Sequence, residues 1–85
     1  MDTELELLLI EDAINQVSNL IDLGFTIIGK VSQIYFDSKE GIATVHISLK
    51  RDINNYSEQA LEKYLRFKLN DNGTNSCWLY MDSDG

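Results

Sequence analysis

The chain has 85 residues, 44% of them hydrophobic, with 14 acids against 7 bases and a formal net charge of −7. So high a hydrophobic share excludes a disordered chain, and the acidic excess argues against general nucleic-acid affinity, because phosphate contacts need a basic surface. The length fits a single domain, residues 1–85, whose small core needs a supplement, and Cys77 and His46, each alone of its kind, supply neither a disulfide nor a zinc site.

A partner subunit or a binding partner is the supplement left, and no cofactor is expected. No apolar stretch approaches the roughly 20 residues that cross a bilayer, and no basic-then-apolar leader opens the chain, so the expectation is a cytoplasmic protein without membrane association. Charge is unevenly spread. Residues 1–24 hold Asp2, Glu4, Glu6, Glu11, Asp12 and Asp22 without one Lys or Arg, while all seven bases fall between residues 25 and 70.

Thr3 followed by Glu6 has the spacing of a capping box, and Gly24 stands where a left-handed cap ends a helix, so a first helix is predicted over about residues 4–22. Leu7, Ile10, Ile14, Val17 and Ile21 recur at steps of three and four and make its expected core stripe. Leu5, Leu9, Ala13, Leu20 and Leu23 widen the apolar surface to roughly half the circumference. Glu4, Glu11, Asn15, Ser18 and Asp22 form a separate polar stripe with Leu8 close beside it. The acids have a plain reading, as partners of the positive helix end or as a solvated face. The surplus leucines have one too, as a helix held between a sheet and a second helix.

From Phe25 the period changes. "FTIIGKVSQIYF" and "IATVHISLK", joined by "DSKEG", read as a hairpin of β-branched and aromatic residues. Ala43, Val45, Ile47 and Leu49 alternate with Thr44, His46 and Ser48, which separates an inner from an outer face. In the first strand Val31 and Ile34 differ in parity, so a bulge near Ser32 or Gln33, or an irregularity at Gly29, is required. "KRDINN" reads as a polar connection capped into a second helix over about residues 58–69, with Leu61, Leu65 and Leu69 on its apolar side. "SCWLYM" follows as a strand with Cys77, Leu79 and Met81 on one face and Trp78 and Tyr80 on the other. A competing parse turns "LRFKL" into a strand that hairpins through "NDNG" into "SCWLYM". The leading expectation is an α+β fold in the order α-β-β-α-β, with three antiparallel strands and both helices packed on one face.

Motifs for chemistry are absent. His46 has no acid or cysteine at a triad or ligand spacing, Cys77 reads as a small buried hydrophobe, and "DSDG" at residues 82–85 lacks the rest of a calcium loop and reads as a frayed tail. No phosphate-binding glycine pattern occurs, and the chain is not expected to be an enzyme. The favoured expectation is a small acidic protein-binding module, for instance an inhibitor that imitates the phosphates of DNA before a nucleic-acid enzyme. Its contact residues would be Glu4, Leu8, Glu11, Asp12 and Asp22, and its partner a protein with a basic surface. Two alternatives accompany it. One is a homo-oligomeric structural or adaptor protein assembled through the first helix, where the surplus of Leu5, Leu8, Leu9, Leu20 and Leu23 in any case leads us to expect a homodimer, and the other is an RNA-binding domain using Lys50, Arg51, Lys63, Arg66 and Lys68 with Tyr56 and Tyr64, at the basic loop and second helix.

Overall fold

The computed structural model describes residues 1–20, 30–53, 57–73 and 75–84, as one helix and one antiparallel sheet sharing a core. Helix α1 spans Thr3–Leu20. Asp2 caps it, where the capping-box spacing had pointed to Thr3: its Oδ1 accepts the Glu4 N–H at 2.9 Å and its carbonyl accepts the Glu6 N–H at 2.9 Å. An aspartate here also places a negative charge on the positive helix end. The expected continuation through Ile21, Asp22 and Leu23 to a cap at Gly24 lies outside the described residues.

Four strands follow, β1 (Lys30–Asp37), β2 (Ile42–Ile53), β3 (Ser57–Asp71) and β4 (Ser76–Asp84), paired in the order β1-β2-β3-β4. Every pairing is antiparallel. The α+β class stands, but the chain has one helix and four strands among the described residues where two helices and three strands were expected. Residues predicted as the second helix are β3. Leu61, Leu65 and Leu69 recur every four residues, and four is a multiple of the strand period as well as nearly one helical turn, so they cannot decide between the two. Phe67 decides, because in a helix it would stand on the side opposite Leu65, whereas in a strand it joins Leu65 on the core face, where both are buried. The competing parse through "NDNG" is the one that matches. In that turn Gly73 has φ +90°, and Asn72 Oδ1 accepts the Asn75 N–H at 3.0 Å. "KRDINN" likewise is no loop through most of its length, since β2 continues to Ile53, opposite Ser57.

From Lys30 onward the β1–β2 hairpin agrees with its prediction; the expected start of the first strand at Phe25 and the irregularity considered at Gly29 lie outside the described residues. The register shifts between Val31 and Gln33, and that bulge brings Val31, Ile34 and Phe36 onto the core together. Gly41 closes the turn at φ +67°, with its N–H on the Asp37 carbonyl at 2.8 Å. A second bulge lies between Arg66 and Phe67 and their β4 partners. Both outer strands of the sheet thus carry a bulge, which bends an exposed edge away from the flat geometry that invites another strand.

The core unites Leu9, Ala13 and Val17 of α1 with Ala43, Val45, Ile47, Leu49, Leu65, Phe67 and Trp78. The helix buries Leu9, Ala13 and Val17, with Leu5 packed against them, so of the predicted stripe Val17 is core and Ile10 half-buried, while Leu7 and Ile14 are 61% and 40% exposed. Leu7 and Ile14 lie roughly 130° from the centre of the buried row at ~100° per residue. Two causes select the observed row. Ala13 at its centre lets the helix backbone approach the sheet closely, and among the described residues no second helix covers Leu7 and Ile14. Trp78 completes the seat, its indole edge-on to Phe36 at 5.8 Å between ring centres. The molecule measures 51 × 21 × 19 Å, a long axis matching the 15 residues of β3 at about 3.3 Å each.

Candidate functional site

Among the described residues two surfaces remain uncovered, the outward side of α1 and the face of the sheet opposite it. On α1, Glu4 and Glu11 are two turns apart on one line, separated by about 10 Å of helix rise, and both are exposed. Leu8, 45% exposed, borders them on one side, and Leu7 and Ile14 border them on the other. The result is a carboxylate line with apolar margins and no base. Beside its N-terminal half a groove of about 300 Å³ runs between the first turns of α1 and the start of β4, lined by Asp2, Glu4, Leu5, Leu8, Asn75 and Ser76.

The structure thus brings together three of the five residues expected to make contact, Glu4, Leu8 and Glu11. Asp12 stands one turn beyond Leu8 toward the sheet and is only partly exposed. Desolvation raises its carboxyl above the usual range, and the neighbouring Glu11 charge adds to the shift. Asp22 lies outside the described residues. Leu7 and Ile14 were missed as surface residues, because an apolar residue at helical spacing reads as core until the number of helices is known.

The open sheet face presents the alternate residues of β2 and β3. His46 and Tyr64 pair across these strands with rings stacked at 4.5 Å and 5°. His46 Nε2 is hydrogen-bonded to Glu62 Oε2, which also accepts the Ser48 hydroxyl at 2.9 Å. These two bonds hold the Glu62 carboxyl below the usual range. The order of groups does not activate a nucleophile, which needs the histidine between hydroxyl and carboxylate; here the carboxylate is in the middle. Glu62 was not visible as a partner of His46 in sequence because 16 residues separate them and only the β2–β3 register joins them.

Arg66 forms a fork with Asp82, Nε donating to Oδ1 at 2.7 Å and Nη2 to Oδ2. The Arg66 hydrogen bonds hold the Asp82 carboxyl low. Asp82 and Asp84 belong to β4, correcting their reading as a frayed tail. Trp78 faces the helix, and the open face presents exposed Tyr35 and Tyr64 with half-buried His46 between the tyrosines' strands. Cys77, expected to be buried, is exposed. Strand alternation also divides the basic set that was expected on a helix: Lys63 falls on the face opposite Arg66 and Lys68, and the Lys68 ammonium donates to the Glu40 carbonyl. The basic set of the RNA alternative is therefore split between the two faces of the sheet, Arg66 and Lys68 standing with Tyr64 and Lys63 opposite them.

No family model, curated protein or solved structure matches the chain. Among the described residues no helix is long and apolar enough to cross a membrane.

Proposed function

We propose that this protein is a small binding module that engages a basic partner protein through the outward side of α1. The observation that supports this most is the placement of exposed Leu7, Leu8 and Ile14 around Glu4 and Glu11 on a helix that carries no base. Exposed apolar side chains on both margins supply area to bury, and the carboxylates between them select a cationic surface and speed encounter with it. An enzyme that handles nucleic acid is one partner class with such a surface, and inhibition by phosphate mimicry is the finer form of the same reading. The apolar margins favour a contact that buries side chains as well as one that pairs charges.

Self-association through the same side is a second reading, supported by the same leucines. It sets Glu4 and Glu11 against their copies, so it gains from salt or low pH, whereas a basic partner is lost as salt rises. Capture from host lysate over a salt series, with light scattering on the free protein, separates the two. The expected result is a set of basic proteins retained at low salt and released at high salt, and lost by a Leu7→Ser, Ile14→Ser variant. Retention unchanged by that variant excludes the α1 surface.

A further inference from the structure

We infer that the open face of the sheet is a site for a neutral oligosaccharide with flat, equatorially substituted rings. Tyr35, Thr44, Arg66 and Asp82 stand in one row across the four strands. With strands about 4.8 Å apart, the backbones of Tyr35 and Arg66 are separated by about 10 Å, and only the short Thr44 stands between them. Two hollows over this row, of about 250 Å³ and 490 Å³, share Thr44 and Tyr64 and so form one trough. The first lies among Gln33, Tyr35 and His46, and the second reaches Arg66, Asp82 and Ser83. Tyr35 is 68% exposed, and Tyr64 keeps one side of its ring on His46.

The charged groups around this trough are already engaged. Arg66 forks onto Asp82 and lies in the field of Asp84. Glu62 accepts the Ser48 hydroxyl and is bonded to His46. Lys68, the next cation along β3 on this face, donates to the Glu40 carbonyl, and Asp37 accepts the Lys39 N–H at 3.0 Å. A cationic ligand meets carboxylates that are held, a phosphate meets bases that are held, and charge selects neither. What the trough offers is an aromatic ring to stack on and a rim of fixed hydrogen-bonding groups. The fork uses two of the five N–H groups of Arg66, and a carboxylate has about four lone-pair sites, so paired groups keep capacity for hydroxyls. Held by one another, they lose little freedom when a ligand arrives. A pyranose with equatorial hydroxyls matches both features, since its axial C–H bonds make an apolar face for Tyr35 while its hydroxyls reach the rim. A wholly apolar ring would strip water from that rim without replacing the hydrogen bonds. The site is independent of the α1 surface, since α1 covers the other face of the sheet.

The test is a titration of the isotope-labelled full chain with cellotetraose, with the glucosamine tetraose of the same linkage, which adds an ammonium to each ring, and with an oligouridylate, followed by amide chemical shifts. Shifts are expected at Tyr35, Thr44, Tyr64 and Arg66 with cellotetraose, and added salt should leave its binding unchanged because the ligand is neutral. Tyr35→Ala, at an exposed position, should weaken it by about threefold or more, and Tyr35→Phe, which keeps the ring, should restore most of the loss. Arg66→Lys keeps the charge but loses the planar fork, and should also weaken binding by about threefold or more. Several outcomes overturn the site: no shift at millimolar cellotetraose, shifts confined to other residues, binding indifferent to Tyr35→Ala, or oligouridylate binding at the trough. Tighter binding of the glucosamine tetraose at these residues in high salt overturns it as well, since the face would then select a cation.

Discussion

The indole Nε1 of Trp78 donates a hydrogen bond of 2.8 Å to the main-chain carbonyl of Leu5, joining the last strand to the first turns of the helix across 73 residues of sequence. That carbonyl belongs to a helix whose seat on the sheet rests largely on the indole. Trp78→Phe keeps an aromatic ring but removes the donor, and should cost about 1–2 kcal/mol. Trp78→Ala removes the seat as well and should cost about 3–5 kcal/mol. Urea denaturation followed by far-UV circular dichroism reads both.

The row that α1 buries predicts a contrast within the helix. Leu9 is fully buried and Ile14 is not, so Leu9→Ala should cost about 2–5 kcal/mol and Ile14→Ala less than about 1 kcal/mol. Equal losses would place Ile14 in the core after all, in the stripe that spacing alone selects.

That contrast shows how far the residues alone could be read. The β1–β2 hairpin was legible down to its bulge because inner and outer residues alternate plainly from Ala43 to Leu49 and the parity break at Val31 and Ile34 has one remedy. Helix α1 was legible as a helix, but its orientation was not, since two apolar rows compete and the choice depends on what covers the second. β3 was ambiguous because its leucines satisfy two periods, and this ambiguity propagated to the charges: Lys63 and Arg66 stand on one side of a helix but on opposite faces of a strand. His46 with Glu62 and Arg66 with Asp82 are products of register, which no local pattern encodes.

Gly41 closes the β1–β2 turn at φ +67°, a conformation that side chains disfavour. The nearest atoms to an added Cβ, on Leu69 and Lys68, are 4.0 Å away, so space is not the obstacle. Gly41→Ala should therefore cost about 1–2 kcal/mol through backbone strain alone, and Gly41→Asn should cost less, because asparagine tolerates the left-handed region. Chemical denaturation of the two variants side by side checks the ranking.

Asp12 and Glu62 give stability opposite dependences on pH. Asp12 has its folded value raised, by partial burial first and by Glu11 second, so the folded state holds its proton where the unfolded chain has released it. Its penalty is complete above the folded value and disappears as pH falls below the ordinary aspartate range. Glu62, lowered by its His46 and Ser48 hydrogen bonds, contributes stability above the ordinary glutamate range that is lost as pH falls through its folded value. Asp12→Asn should raise the urea midpoint at pH 7, with the gain vanishing in acid. Glu62→Gln should lower the midpoint at pH 7 and flatten the acid limb of the profile. A loss of stability in Asp12→Asn at neutral pH would show that the carboxylate is held by favourable contacts.

The outward side of α1 carries two kinds of group, and a captured partner should report them separately. Glu4 and Glu11 are exposed, so Glu4→Gln with Glu11→Gln should change folding stability by no more than about 0.5 kcal/mol each. Their part in binding is long-range attraction, so the double change should slow association and reduce its dependence on salt, with little effect on dissociation. Leu7 and Ile14 act only once surfaces meet. Leu7→Ser with Ile14→Ser should leave association and its salt dependence nearly intact and speed dissociation by about tenfold or more, since burying each of these side chains is worth about 1.5–3 kcal/mol when complete. Lys68→Gln is the control, at an exposed position on the opposite face. Surface-plasmon kinetics at two salt concentrations distinguish these patterns. Should Lys68→Gln abolish binding while both α1 pairs leave the rates unchanged, the partner sits on the sheet and the acidic helix is solvated surface.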